Sequence, residues 1–226
     1  MNLIVFDVDG TLLNSTGVDD ECYQKALHHA HGIAIDEFSW ENFKDVTDQG
    51  VTEDILATKL GREASLKELK AVEKAMGEFV WEESKNRPKK FTPAPGIEKY
   101  LEALIQRKDI GFCLATGAWE DSARAKLVHL SGFLDLEKIP WQHASNIRRR
   151  ADIVKASVEK AKTFYNVSSF SKITAFGDGK WDYLTAKELD IGFIGVNLNH
   201  SKKLSKFSEI KVISEFPQAI EPSLIF

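Results

Sequence analysis

Two rhythms of apolar residues alternate along the chain. Leu3 to Phe6 are apolar at every position, as in a strand covered on both faces, and the run stops at Asp7. From Asp20 to His31 the apolar residues Tyr23, Leu27 and Ala30 share one helical face. A second helix is expected from near Trp40, carrying Phe43 and Val46; Thr47-Asp48-Gln49-Gly50 then breaks the pattern, which Val51 to Leu60 resumes through Ile55, Leu56 and Leu60. Ser65-Leu66-Lys67-Glu68 has the spacing of a capping box, in which the hydroxyl and the carboxylate each satisfy a free backbone N–H. The helix it opens puts Leu69, Val72, Met76, Phe79 and Val80 on one side and should end before Pro88.

Residues 17–88 therefore read as an all-helical block inserted after the first strand. The outgoing connection lies around Ser15 to Val18, and the return runs from Lys85 to Pro95 with three prolines. Two such connections suit a hinge, and equally a set of helices packed permanently on the sheet. From Pro95-Gly96 the rhythm becomes helix, strand, helix, strand. Ile97, Tyr100, Leu101, Leu104 and Ile105 have helical spacing, Ile110 to Ala115 is a buried strand, and Trp119 to Leu130 a helix. Ile139 to Ala144 is a weaker strand, interrupted by Pro140. A long helix spans Ala151 to Tyr165, and Ile173 to Phe176 is a strand. A helix through Leu189, a strand from Phe193 to Val196 and a last strand at Lys211 to Ile213 complete the pattern. Strands alternating with helices imply an α/β fold with a mostly parallel sheet covered on both faces.

Composition narrows the picture. The 226 residues suffice for a core domain plus a smaller insertion, and 43% hydrophobic with 28% charged residues argues against disorder and against a membrane protein. A net charge of −4 gives no electrostatic case for a nucleic-acid partner. Cys22 and Cys113 are too few and too far apart for a disulfide framework, so a reducing cytoplasm is the expected setting. No basic-then-apolar leader precedes Asp7, and no run approaches the length of a membrane span. His28, His29 and His31 read as a solvated helix end, since only the first and last share a face and no further ligands stand nearby. Lys89-Lys90 and Lys202-Lys203 read as surface charge, as do Lys59 and Arg62, although the last two could meet an anionic substrate.

Ligands of open parallel sheets bind outside the carboxyl ends of the strands. Asp7, Thr116 and Asp178 each stand at the carboxyl end of a different predicted strand, so three polar residues distant in sequence converge on one edge. Their contexts are Asp7-Val8-Asp9-Gly10-Thr11, Leu114-Ala115-Thr116-Gly117 and Gly177-Asp178-Gly179-Lys180-Trp181-Asp182. In order, spacing and strand context these strings resemble the first, second and fourth motifs of the haloacid dehalogenase-like (HAD) superfamily of phosphohydrolases. Leu12-Leu13-Asn14-Ser15 is similar to the phosphoglycolate phosphatase-type branch.

The resemblance covers the whole chain and implies a Rossmann-like core, residues 1–16 and 89–226, with a helical cap, residues 17–88. It makes Asp7 a nucleophile and Asp9 an acid/base, with Thr116 and Gly117 holding the phosphoryl group. Mg²⁺ is implied, held by Asp7, the Val8 carbonyl and Asp178, with Asp182 ordering its surroundings or the cationic residue. The family's Lys or Arg has three candidates in Arg148-Arg149-Arg150; Arg150, which opens a helix, is favoured and Arg148 is the runner-up. Gly10 and nearby loop amides would orient phosphoryl oxygens. Gly50, between two cap helices, resembles a substrate-specificity loop, where Asp48, Gln49 and Thr52 could touch the leaving group. Trp181 could cover the site, with core packing as the plainer expectation. The partner is expected to be a small phosphorylated metabolite, with no nucleic acid or membrane, and a monomer or homodimer both remain open. The implied reaction is hydrolysis of a phosphomonoester, with a phosphomutase or a non-catalytic phosphate-ligand protein as alternatives.

Overall fold

The computed structural model describes residues 1–198, 204 and 207–226; Lys202 and Lys203 lie outside them. The elements begin with β1 (Asn2–Phe6), β2 (Leu13–Asn14), α1 (Thr16–His31), α2 (Asp48–Leu60), α3 (Leu66–Asn86) and β3 (Thr92–Pro93). They continue with α4 (Ile97–Ile105), β4 (Ile110–Ala115), α5 (Glu120–Leu127), β5 (Trp141–Gln142) and α6 (Arg150–Tyr165). The last are β6 (Ile173–Gly177), α7 (Lys180–Glu188), β7 (Gly192–Val196), β8 (Lys211–Ile213) and α8 (Pro222–Ile225).

Six strands form one sheet in the order β5-β4-β1-β6-β7-β8, every pairing parallel. β1 lies inside it, between β4 and β6, and its unbroken apolar run follows from that position. Ile4 and Phe6 enter the core on one face with Tyr100, Leu101 and Leu104 of α4. Leu3 and Val5 enter the core on the other with Ile153, Val154 and Val158 of α6. β4 divides in the same way, Phe112 and Leu114 to one face and Cys113 and Ala115 to the other. Each side chain of a central strand thus meets a helix layer, which is why alternation is absent.

The helices between β2 and β3 share a third core. Val18, Cys22, Tyr23 and Leu27 of α1 pack with Val51 of α2, Val72 and Met76 of α3, and with Trp119 and Ala125 at and within α5. The chain leaves and returns along a two-stranded antiparallel ribbon, Leu13 opposite Pro93 and Asn14 opposite Thr92, which the sequence pattern did not reveal. Four other details depart from the sequence reading. α1 begins at Thr16, and only Trp40–Asn42 of the expected second helix coils, as a 3-10 turn, so Phe43 and Val46 lie in irregular chain. Thr47 is the N-cap of α2, its hydroxyl accepting the Gly50 N–H at 2.9 Å, so the string read as a break starts the helix. α5 is shorter than expected and tightens into a 3-10 turn over Val128–Leu130. The capping box of Ser65 and Glu68 is formed at the start of α3.

Candidate active site

The carboxyl ends of β1, β4 and β6 deliver Asp7, Thr116 and Asp178 to one cleft of about 280 Å³. Asp7 is anchored by its own backbone, whose N–H donates to the Phe176 carbonyl at 3.0 Å. Its carboxylate accepts from Arg150 Nη2 on Oδ1 at 2.8 Å and from Thr11 Oγ1 on Oδ2 at 3.3 Å. Arg150, the first residue of α6, also donates from Nε to Asp182 Oδ1 at 2.6 Å and from Nη1 to the Val46 carbonyl at 3.1 Å. Asp182 Oδ2 meanwhile accepts the Gly179 N–H at 3.0 Å and closes the first turn of α7. Thr116 is buried, its Oγ1 accepting the Ala118 N–H at 3.1 Å. A Cβ on Gly117 would stand 2.3 Å from Arg150 Nη1, so a residue without a side chain is what lets the guanidinium enter.

Carboxylates outnumber the cation here. Asp7, Asp178 and Asp182 each place one oxygen within 4.8 Å of the others. Burial pushes the Asp7 carboxyl well above the ordinary carboxylate range, and Asp182, Asp178 and Asp9 push the same way while Arg150 opposes them. Burial also disfavours the charge on Arg150, but Asp182 and Asp7 outweigh it and hold the guanidinium protonated. Three oxygen donors around a surplus of negative charge fit a hard divalent cation such as Mg²⁺.

A second charge cluster adjoins the first. Asp9 Oδ1 accepts from Ser15 Oγ at 2.6 Å, and Oδ2 accepts from Lys126 Nζ at 2.7 Å. Lys126, on α5, has no exposed side-chain surface and also donates to Asp19 Oδ1 of α1 at 2.8 Å. Burial raises the Asp19 carboxyl to about 6, with Lys126 opposing and Asp9 assisting. Asp48 is pushed well up by burial and then by Asp19, against Lys126 and the Trp119 N–H that donates to it at 2.9 Å.

The family model for haloacid dehalogenase-like hydrolases matches residues 1–190. The chain belongs to this family. No curated protein gives a match. Among solved structures, a hydrolase from Pseudomonas syringae superposes with a TM-score of 0.71 at 19% identity, over 95% of this chain and 94% of its own. A HAD hydrolase, family IA, variant 3, from Entamoeba histolytica gives 0.66 at 19% identity, over 94% and 92%. A protein named a predicted phosphoglycolate phosphatase from Haemophilus somnus gives 0.55 at 19% identity, over 93% and 92%. At these identities the likeness shows the fold.

Within this HAD-like hydrolase, Asp7, Asp9, Thr116, Gly117, Arg150 and Asp178 all line the one cleft, and Asp182 stands behind it through Arg150. Of the three arginines, Arg150 reaches Asp7, Arg149 pairs with Glu188 on the surface, and Arg148 turns to Asp45, Glu53 and Asp54. Three of the expected residues make other contacts in this structure. The Val8 carbonyl accepts backbone N–H groups from Thr11, Leu12 and Leu13 at 3.3, 2.9 and 3.1 Å. The Gly10 N–H goes to the Leu13 carbonyl at 2.7 Å; with φ +76° and its Cβ position 2.4 Å from Asp178 Oδ2, Gly10 serves the turn that lets Asp178 approach. Gly50 lies in the first turn of α2, away from the cleft lining, and glycine is required there because a Cβ would meet the Asp45 carbonyl at 2.8 Å.

The inserted helices reach the cleft through other residues. Asp48 lines it, whereas Gln49 turns to Glu53 and Trp119, and Thr52 bonds the Tyr23 hydroxyl inside the helical core. Trp181 lines the cleft as a partly exposed wall, which favours covering the site over core packing. Ser15, Asp19 and Lys126 were missed as site-adjacent residues. For Lys126 a signal exists: with Trp119, Ala123 and Leu130 it falls on the buried stripe of α5, where a lysine needs buried partners.

Proposed function

We propose that the protein is a Mg²⁺-dependent phosphatase that hydrolyses a small phosphomonoester through an aspartyl-phosphate on Asp7, with residues 17–88 acting as a cap over a core of residues 1–16 and 89–226. The observation that carries this reading is the buried Asp7 carboxylate at the cleft floor, paired with Arg150 and flanked by Asp178, with a second carboxylate two residues on.

An Asp7 oxygen attacks phosphorus as the bond to the leaving oxygen breaks, and protonated Asp9 gives that oxygen its proton. Asp9, now ionised, takes a proton from water, which attacks the aspartyl-phosphate; phosphate leaves and the Asp7 carboxylate is restored. Arg150 balances charge on Asp7 and the phosphoryl group, and Thr116 with Gly117 seats the phosphoryl oxygens. Asp7 and Asp178 would hold the metal, which supplies positive charge against an anion attacking an anion. Phe38 and Trp40 with Asp20, Asp48 and Glu41 form the leaving-group side of the cleft. A cavity of this size suits a metabolite such as a sugar phosphate.

Arg150 is the only basic side chain lining the cleft among the described residues. A phosphomutase must seat a second phosphate, and a phosphoglycolate-type substrate carries a carboxylate; neither finds a second cation there, which favours hydrolysis of an uncharged alcohol's phosphate. The test is phosphate release from a panel of phosphomonoesters, with Mg²⁺ or with EDTA, by wild type and Asp7→Asn. Metal-dependent release that disappears in the variant is expected. Release that survives Asp7→Asn would reject the nucleophile, and turnover only with a bisphosphate activator would reject the phosphatase in favour of the mutase.

A further inference from the structure

Lys126 poses a question that packing does not answer. Its side chain is fully buried, its ammonium bonded to Asp9 at 2.7 Å and Asp19 at 2.8 Å, with Asp48 close enough to act on its charge. Burying an ammonium and its counter-charges is a poor route to stability, because apolar residues of similar volume usually do as well or better. Lys126 has no exposed side-chain surface and its ammonium is taken up by two carboxylates, so it is not presented to a phosphate in the cleft. What it does touch is the carboxylate to which the proposed reaction assigns both proton transfers.

Geometry fixes what that contact does. Ser15 Oγ approaches one oxygen of Asp9 and Lys126 Nζ the other, so the carboxylate is held from both ends and its plane is set. Each oxygen keeps lone-pair capacity for a proton shared with substrate or water. The two supports have different origins. Lys126 rides on α5, which packs against the sheet through Ala123 and Leu127, whereas Ser15 is the N-cap residue of α1, and Asp19 in that helix's first turn holds the far side of the ammonium.

We propose that Lys126 is a positioning residue for Asp9: braced by Asp19, it holds the Asp9 carboxylate in line with the leaving-group oxygen and couples that alignment to the seating of α1. The inference rests on the assignment of Asp9 as the acid/base.

An experiment separates positioning from mere structural support. Alkyl phosphates need their leaving oxygen protonated, whereas p-nitrophenyl phosphate departs as a stable anion and scarcely needs an acid. The kcat/KM of both substrate types, which reports phosphoryl transfer to the enzyme, is measured for wild type, Lys126→Met and Asp9→Asn. Misalignment of a general acid predicts a loss of about 10- to 100-fold on the alkyl substrate in Lys126→Met, with less than about threefold on p-nitrophenyl phosphate. A fold-wide defect would lower both equally. The double variant Lys126→Met/Asp19→Asn, which removes one charge of each sign, guards against a single variant that does not fold and must show the same selectivity. Equal losses on both substrates, or no loss, in whichever variant folds would overturn the positioning role while leaving Asp9 intact if Asp9→Asn remains selective. An Asp9→Asn enzyme with both activities near wild type would overturn the acid/base assignment itself, and the proposal with it.

Discussion

Replacing Arg150 by methionine tests the charge balance of the site. The guanidinium makes two charge-assisted hydrogen bonds, to Asp7 at 2.8 Å and Asp182 at 2.6 Å, and a third to the Val46 carbonyl at 3.1 Å, with a side chain only 12% exposed. Hydrogen bonds to charged groups contribute about 1.5–3 kcal/mol each, and breaking a buried pair by removing one partner costs about 3–5 kcal/mol, so a loss near 4 kcal/mol is expected. With an unfolding entropy of about 2.1 cal/mol/K per residue, a chain this long should melt about 8 °C lower. The loss should shrink when Mg²⁺ is present, because a divalent cation relieves the same carboxylates. Arg150→Lys keeps the charge but cannot span three acceptors in a planar fork, so it should fall between the two. The assay is thermal unfolding of the three proteins with Mg²⁺ and with EDTA, beside phosphate release. If Arg150→Met melts within about 2 °C of wild type in EDTA, the guanidinium is not the counter-charge that holds this cluster, and the reasoning fails.

Other perturbations follow from the same geometry. Mg²⁺ at a hundredfold excess over its Kd should stabilise the wild type by about 2.7 kcal/mol, and Asp178→Asn should abolish the gain; a melting shift retained in that variant would remove Asp178 from the metal set. Asp19 titrates near 6 in the folded chain against an ordinary value of 3.8, so the folded state keeps a proton that the unfolded state has released. Its contribution therefore falls as pH rises from about 4 through about 6, by about 3 kcal/mol, and Asp19→Asn should flatten that part of the stability profile in urea unfolding; parallel profiles would contradict the assignment. The Tyr100 hydroxyl is buried without a partner among the described residues, while its ring packs against Phe6, Phe176 and Phe216. Tyr100→Phe should therefore raise stability by about 1 kcal/mol, and a loss of that size would show that the hydroxyl is satisfied in solution.

What could be read from the sequence divides along a physical line. A central strand of a covered parallel sheet is apolar at nearly every position, so β1, β4 and β6 declare themselves, and the polar residues that end them must meet at one edge. The two-residue ribbon β2-β3 has no such signature, because so short a pairing leaves no period to detect. The string at Thr47 looked like a break because its residues are polar, yet a polar residue at a helix start is a cap, and only the hydrogen bond to Gly50 tells the two apart.

Direction is the other quantity that residue order withholds. Three consecutive arginines are equivalent as letters, but successive positions at the start of a helix point different ways, and Arg150 alone turns to Asp7 while Arg148 meets acids of the inserted segment. The bonding of the Val8 carbonyl is equally hidden in the sequence: it is set by a turn whose N–H groups fold back on it. Lys126 is the sharper case, because its partners Asp9 and Asp19 lie 117 and 107 residues away, and a lysine in a helix is ordinarily solvated. A buried lysine demands carboxylates, and carboxylates at a strand end demand a cation; each need is legible alone. The fold makes one residue answer both, and in doing so ties the first turn of an inserted helix to the carboxylate beside the proposed nucleophile.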